Sequence, residues 1–329
     1  MSPPSGPPLL PLHPPPREIP LPKLLGAFTA VSVIWGSTYL AIRVAIETIP
    51  PLLMAAVRFL IAGVGLFAWT RARGAPKPTP EQWKAAAVVG CLLLAGGNGA
   101  VVIAEQWIPS GLAALLVASV PLWLVLLDSL WGSRSRPSLR VITGLAAGFG
   151  GVGILVGSPG AGAGGREELF GVLLVLGGTL AWAIGSIYSR HAPAPDRPRL
   201  WVAMQMLTGG GALLVLAFLL GELGDVDPDA ISARSLLALA YLIVFGALIA
   251  FSAYIWLLSV STPARVGTYA YVNPVVALLL GWALAGEPLT FRSLVAAAII
   301  LGSVVVITEG RRPRRRPGPT PGATLQQKS

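Results

Sequence analysis

The sequence predicts an all-α integral membrane protein of ten transmembrane helices, and two observations lead to this class. Hydrophobic residues make up 54% of the 329 residues and charged residues only 12%, about half of the roughly 25% found in soluble domains. Ten apolar segments also follow one another along the chain, and most reach the roughly 18–20 residues that a helix needs to cross a bilayer. The composition excludes a soluble enzyme, a disordered protein and a fibrous protein.

The ten segments are separated by short polar stretches or by helix-breaking residues. Pro109 and Gly111 divide the third segment from the fourth, and the tenth is short, with Arg292 near its start. The predicted spans are 24–43, 51–70, 85–105, 110–128, 140–157, 168–189, 200–220, 235–257, 263–284 and 291–308.

The basic residues indicate the orientation of these spans. Net charge is +10, and 19 of the 24 Lys and Arg fall on the side that holds both tails. The other side holds the remaining five, which are Arg43, Arg58, Arg166, Arg234 and Arg292. The positive-inside rule accounts for this excess and places both termini in the cytoplasm, so the charge does not indicate a nucleic-acid partner.

Several kinds of chemistry are excluded by residue types. The single cysteine, Cys91, forms no intramolecular disulfide, and the two histidines, His13 and His191, lie in polar segments, which disfavours a metal site or a Ser-His-Asp triad. The glycines of 148–153 match a dinucleotide motif but lie inside a span. Residues 157–165 are glycine-rich but lack the lysine of a phosphate-binding loop. We therefore predict no cofactor, no metal and no ATP-driven step.

An internal repeat relates the two halves of the chain. Trp35 and Arg43 enclose seven residues in the first span, and Trp182 and Arg190 enclose seven in the sixth, 147 positions later. Pro121 in the fourth span has a counterpart 153 positions later in the ninth. A duplicated unit of five helices must insert its copies in opposite directions, which is typical of transporters. The alternative is a coincidence between two apolar stretches.

A family resemblance rests on motifs distributed over residues 24–308. The stretches that carry it are Trp35–Tyr39, Pro50-Pro51 with Val57–Phe59, Gly97–Gly99 with Glu105, Pro109–Gly111 with Val120-Pro121, and Tyr269–Pro274 with Gly281 and Gly286-Glu287. On these motifs the chain resembles the EamA-type ten-helix branch of the drug/metabolite transporter superfamily, in its subgroup of bacterial inner-membrane amino-acid and metabolite exporters.

The resemblance implies two inverted EamA repeats around a central cavity lined mainly by spans 1, 3, 4, 6, 8 and 9. The repeats would be residues 23–157 and 168–308, joined by a glycine-rich linker at 158–167. A disordered proline-rich tail at 1–22 and a basic cytoplasmic tail at 309–329 would flank them. One departure is that Gly132-Ser133-Arg134 stands where the second repeat has Gly286-Glu287, which argues against a symmetric role for this glutamate.

Three polar residues in or beside the spans are candidates for the cavity. Arg58 lies about two turns into the second span and either binds a carboxylate of the substrate or pairs with Glu47 or Glu105, because buried cations require a partner. Asn98 and Glu105 fall on one helical face with Val102. Glu105 either projects into the cavity, where a proton-coupled exporter could use its carboxyl, or faces water at the interface.

Aromatic residues and prolines complete the candidate site. Trp35 and Tyr39 are one turn apart and, with Trp182, either form an aromatic wall for the substrate or pack against neighbouring helices. Pro121 and Pro274 each leave a carbonyl without its helical partner, and we expect hinges or kinks there. Tyr269 and Asn273 either bond such a carbonyl or contact the substrate.

The predicted function is secondary transport that exports small organic metabolites, such as amino acids or related amphiphiles, by alternating access. The predicted partners are a small-molecule substrate and the lipid bilayer, with proton coupling through Glu105 as an option; no oligomeric state is predicted. The alternatives are a carrier for nucleotide-sugars, lipid-linked molecules or drug-like cations, or a non-transporting scaffold. Membrane-embedded enzymes cluster His, Asp or Glu within their spans, and no such cluster occurs here.

Overall fold

A computed structural model describes residues 20–131, 139–156, 165–260 and 269–310, and these ranges fold into ten helical rods without a β-strand. The first five are α1 (Leu21–Ala45), α2 (Pro51–Ala72), α3 (Pro80–Gly90, Cys91–Asn98 and Gly99–Ala104), α4 (Ser110–Val117 and Val120–Trp131) and α5 (Leu139–Val156). The others are α6 (Gly165–Ser189), α7 (Pro198–Leu219), α8 (Ala233–Tyr241, Leu242–Ile249 and Ala250–Val260), α9 (Tyr269–Ala285) and α10 (Phe291–Gly310).

The prediction of ten membrane-spanning helices is confirmed. Within the described ranges, seven helices are long and apolar enough to cross a membrane, and three further apolar helices in α5, α9 and α10 are shorter. Successive helices run in alternate directions. We call the end where α1 begins and α10 ends the terminal face, and the opposite end the distal face.

The helix boundaries differ slightly from the predicted ones. α1 begins at Leu21, inside the predicted tail, because Pro22 occupies the first turn, where its missing N–H has no helical partner in any case. α6 begins at Gly165, inside the predicted linker, with Glu167 and Glu168 in its first turn, where acidic side chains favour the helix dipole. The rest of the predicted tails and linker, residues 1–19, 158–164 and 311–329, lies outside the described residues.

The helix contacts repeat between the two halves. α2 packs against α7 and α5 against α10, while α1 contacts α9 as α6 contacts α4, and α1 contacts α8 as α6 contacts α3. Exchanging each helix of α1–α5 with the helix five places later therefore reproduces the pattern. Five is an odd number, so the two halves run through the bundle in opposite directions.

Two irregularities interrupt the regular helices. The third helix of each half contains eight π-helical residues, Cys91–Asn98 in α3 and Leu242–Ile249 in α8, and such segments are frequent at functional sites. In addition, α4 is broken at Ala118 and Ser119, because Pro121 has no N–H for the carbonyl of Val117 and can continue the chain only in the first turn of a new helix.

Candidate functional site

Arg58 is a buried cation that reaches from α2 to the π-helical segment of α8. Its residue surface is only 6% exposed, and its Nη2 would lie 3.2 Å from a Cβ placed on Gly246. The Nε atom has no hydrogen-bond partner. Gly246 thus leaves the room that the guanidinium occupies, and the cation retains unused hydrogen-bonding capacity inside the bundle.

Glu105 follows the last turn of α3 and is completely buried, so it does not face water. Neither of its carboxylate oxygens accepts a hydrogen bond. Its main-chain oxygen accepts one from Nη1 of Arg43. Buried polar atoms without partners are uncommon and require an explanation.

Arg58 and Glu105 carry opposite charges but are not joined by an ion pair. Among the described residues the ion pair connects Arg234 to Glu47 at 3.6 Å on the distal face. Neither of the two expected counter-ions, Glu47 and Glu105, forms an ion pair with Arg58 in this conformation. The guanidinium of Arg58 and the carboxyl group of Glu105 are thus both buried, and neither forms an ion pair among the described residues.

Asn98 ends the π-helical segment of α3 and lies one turn before Val102 on the same helix. Val102 is fully buried in the apolar core that α1, α2, α3, α7 and α8 share. Asn98 is partly buried. The predicted stripe of Asn98, Val102 and Glu105 therefore faces the interior of the bundle.

Trp35 lies at the centre of an aromatic cluster between α1, α8 and α9. Its ring centroid is 5.6 Å from that of Phe251, 5.2 Å from Tyr254 and 4.9 Å from Tyr269. Its Nε1 donates to the main-chain oxygen of Gly246 at 3.1 Å. Because Gly246 also contacts Arg58, this aromatic cluster adjoins the buried cation.

Tyr39 and Trp182 do not belong to this aromatic cluster. Tyr39 is partly buried and packs against a second apolar core around α4 and α6. Trp182 contacts the π-helical segment of α3, where a Cβ on Gly97 would approach its Cε3 to 2.8 Å. The two repeat-related tryptophans thus each pack on a glycine of the opposite half's π-helical segment.

Pro274 lies within α9 without breaking it, in contrast to Pro121 in α4. When its amide is oriented to donate, Asn273 Nδ2 lies 3.0 Å from the main-chain oxygens of Tyr269 and Ser32. Asn273 therefore links α9 to α1. At the corresponding crossing of α4 with α6, Trp123 Nε1 donates to Thr179 Oγ1 at 3.0 Å.

At the distal face, two glutamates each cap the start of a helix that lies far away in the sequence. Glu287 accepts hydrogen bonds from the backbone nitrogens of Ser110 and Gly111 at 2.7 and 3.0 Å. Glu222 accepts from those of Leu52 and Leu53 at 3.1 and 2.8 Å. These carboxylates satisfy otherwise unpaired N–H groups at the positive ends of α4 and α2.

Two neighbouring glycines, Gly281 and Gly286, allow the carboxylate of Glu287 to reach the position in which it accepts these hydrogen bonds. Gly286 has φ +65°, a left-handed conformation that favours glycine at the end of a helix. A Cβ on Gly281 would clash with Oε2 of Glu287. Glu287 also borders a distal-face cavity of about 570 Å³, together with Arg43, Glu47, Trp107 and Arg234.

Sequence reasoning missed three contributors to this arrangement. Gly246 gave no local signal, since its importance comes from Arg58 and Trp35 on other helices. Glu222 also gave no local signal, since it caps the start of α2, 170 residues away in the sequence. The capping role of Glu287 was missed because its partner lies 177 residues away; the available signal was the start of α4 at Pro109-Ser110-Gly111, where the N-cap residue Pro109 forms no side-chain cap.

Known proteins share both the sequence pattern and the fold. The model of the EamA-like transporter family matches residues 23–157 and 169–309. Over 295 residues the chain is 41% identical to a protein named uncharacterized inner membrane transporter YedA from Escherichia coli strain K12, covering 88% of this chain and 91% of that protein.

A more distant relative and a solved structure extend the comparison. A protein of Salmonella typhimurium named probable amino-acid metabolite efflux pump is 25% identical over 306 residues, which cover 87% of this chain and 94% of that protein. A solved crystal structure, 24% identical, has the same fold with a TM-score of 0.61 over 88% of this chain and 99% of that chain. The chain therefore belongs to the EamA-like transporter family and is a multi-pass membrane transporter.

Proposed function

We propose that this protein is a secondary transporter that exports zwitterionic amino acids or closely related metabolites by alternating access. The observation that carries the proposal is the separated pair of buried charges, Arg58 and Glu105. A carboxylate of the substrate would bind Arg58, and an ammonium group would bind Glu105. Such a ligand satisfies the Nε of Arg58 and both oxygens of Glu105, which have no partner in the free protein.

The aromatic cluster supports the same proposal. Trp35, Phe251, Tyr254 and Tyr269 adjoin Gly246 and therefore lie near Arg58. Aromatic rings offer an apolar surface to the side chain of an amino acid, while the charged pair orients its backbone groups. The Salmonella relative is named an amino-acid metabolite efflux pump, which agrees with this substrate class.

The mechanism we propose uses the inverted halves as two gates. At the distal face, the bonds from Glu287 to α4 and from Glu222 to α2 hold helices together and would have to break when that face opens. The break in α4 at Ser119 and the π-helical segments of α3 and α8 are the proposed flexing points. Both termini would lie in the cytoplasm, so that the distal face opens outward.

Glu105 is the proposed proton carrier, because Arg58 remains protonated throughout. A protonated Glu105 has no charge to bind an ammonium group, so proton uptake from outside would release the substrate there. Export would then be driven by the proton gradient. In this scheme the carboxyl of Glu105 both carries the proton and binds the ammonium group of the substrate.

The test is flux in proteoliposomes loaded with the purified protein and presented with a pooled set of labelled amino acids, with and without a pH gradient. We expect saturable flux that falls about tenfold or more in Arg58→Gln, the size expected from losing a hydrogen bond to a charged group. Glu105→Gln should abolish the dependence on the pH gradient. Arg140→Gln, which removes an exposed arginine at the start of α5, is the matched control and should transport normally.

The outcomes separate the parts of the proposal. Flux that is unchanged in Arg58→Gln contradicts the role of Arg58 in the site. Labelled drug-like cations and nucleotide-sugars are assayed beside the amino acids, and flux of these solutes in place of amino acids contradicts the substrate class. Absence of flux for every solute tested, from protein that is folded and correctly inserted, contradicts the proposal that these solutes are its substrates.

A further inference from the structure

A basic pocket at the terminal face is not used by the proposed transport mechanism. It has a volume of about 480 Å³ and lies between the end of α2, the beginning of α7 and the last part of α8. Its lining residues are Trp69, Thr70, Arg73, Ala75, Arg197, Pro198, Arg199 and Trp256. Three arginines and two tryptophans therefore share one cavity.

Two of the arginines are held over the same indole ring. The guanidinium carbon of Arg73 lies 5.3 Å from the ring centre of Trp69, and that of Arg199 lies 5.2 Å from it. Arg199 Nε is shielded from solvent and has no hydrogen-bond partner. Two like charges that converge on one ring repel each other, and an anion between them would remove this cost.

No acidic side chain supplies this anion in the described part of the chain. The ion pair there joins Arg234 and Glu47 at the opposite, distal face. Asp196, which is adjacent to Arg197 in sequence, is exposed and does not line the cavity. The N-terminus of α7 at Pro198 also lacks a side-chain cap, so that its positive dipole end adds to the field of the arginines.

The pocket continues into a surface suited to an acyl chain. Ile61 and Val64 of α2 are 53% and 58% exposed, and Ala68 on the same face is exposed as well. This apolar stripe leads along the bundle toward Trp69, a residue that is 42% exposed. The ammonium of Lys23, which does not itself line the pocket, lies 5.2 Å from the ring centre of Trp256.

We infer that this pocket binds the phosphodiester headgroup of an anionic membrane lipid, with one acyl chain lying along the exposed stripe of α2. The phosphate would lie between Arg73 and Arg199, because guanidinium groups form paired hydrogen bonds with phosphate oxygens. Trp69 and Trp256 would stay at the level of the headgroups, where tryptophan is favoured. The shared chemistry is a phosphate anion, and the apolar stripe is what favours a lipid over free phosphate.

The test is native mass spectrometry of the intact protein in a neutral detergent, titrated with phosphatidylglycerol, phosphatidylcholine or inorganic phosphate. We expect retention of one phosphatidylglycerol at concentrations at which phosphatidylcholine is lost. The double variant Arg73→Gln/Arg199→Gln should bind phosphatidylglycerol about tenfold or more weakly, since each basic residue contributes to attraction of anionic lipid. Arg140→Gln, which changes an exposed arginine at the start of α5, is the matched control and should bind like the wild type.

Further variants keep the test decisive. If the double variant does not fold, Arg73→Gln alone serves, because Arg73 is exposed and its substitution leaves no buried cavity. Arg199→Lys keeps the charge and should retain most of the binding. Equal retention of both lipids, or unchanged binding in the arginine variants, overturns the inference. Binding of inorganic phosphate as strong as that of the lipid overturns the assignment to a lipid.

Discussion

The two halves of this protein share a backbone plan but not their chemistry. Each has a π-helical segment in its third helix and a tryptophan of the other half packed against it. The buried charges, Arg58 and Glu105, both belong to the first half. The second half supplies most of the aromatic cluster and both capping glutamates.

This difference shows that the inverted scaffold and the site make separate demands on the sequence. The scaffold requires helices to approach each other closely at equivalent crossings, and the close approach occurs at both members of each equivalent pair. The proposed site needs one cation and one anion at a fixed separation, which a single half can provide. At the position equivalent to Arg58, 147 residues later, the second half has the uncharged Gln205. Three predictions test this division between shared scaffold and unshared chemistry.

The largest effect on stability is expected where α3 crosses α7. A Cβ on Gly209 would lie 2.6 Å from the main-chain oxygen of Gly90, and a backbone atom cannot move aside as a side chain can. Gly209→Ala should lower the free energy of unfolding by about 2 kcal/mol, as overpacking does. The measurement is reversible unfolding in mixed detergent micelles.

Gly211→Ala on the same helix is the control, because no atom lies within 4 Å of the added Cβ. This variant should be neutral or more stable by up to about 1 kcal/mol, the helix preference of alanine over glycine. At the equivalent crossing of α8 with α2, Ala62 already stands in place of Gly209. Equal effects of the two alanine substitutions would contradict the claim that the backbones of α3 and α7 approach each other closely at Gly209.

The next effect is expected at the distal face. Glu287→Gln removes the charge that receives two hydrogen bonds from the start of α4, and we expect a loss of about 1–2 kcal/mol in the free energy of unfolding. Hydrogen exchange at the amides of Ser110 and Gly111 should accelerate. Glu47→Gln, which breaks a pair with exposed side chains, should cost less than about 0.5 kcal/mol. Unchanged exchange at Ser110 would refute the capping role.

The smallest expected effect is a difference in stability between variants of the two repeat-related tryptophans, Trp35 and Trp182. Trp35→Phe removes the hydrogen bond to Gly246, whereas Trp182→Phe removes only packing against Gly97. The loss of ring volume is similar, so the difference between the two variants should be about 1 kcal/mol, the net value of one hydrogen bond. Equal destabilisation, measured by the same unfolding assay, would show that the bond contributes nothing.

Much of the fold could be predicted because membrane insertion depends on local hydropathy. The ten spans, the division at Pro109 and the relation between Trp35 and Trp182 are visible in single stretches of sequence. The kink expected at Pro121 is displaced to a break at Ala118 and Ser119, because a proline disrupts the turn that precedes it.

The remaining features depend on contacts between distant residues. The π-helical segments have no local signature and coincide with places where a tryptophan or arginine of another helix needs room. The pairing of Glu47 with Arg234 and the capping by Glu287 join residues that only the folded bundle brings together. The contact of Arg58, Asn98, Glu105 and the aromatic residues with a substrate stays a prediction.

The most direct test of the central claim compares an amino acid with analogues that lack one charge. Flux of the amino acid found in the proteoliposome assay is measured beside flux of its N-acetyl and amide derivatives, in wild type, Arg58→Gln and Glu105→Gln. The wild type should reject both analogues, Arg58→Gln should lose its preference over the amide, and Glu105→Gln should lose its preference over the N-acetyl form. Preferences that both variants retain would contradict a site in which these two buried charges bind the two ends of a zwitterion.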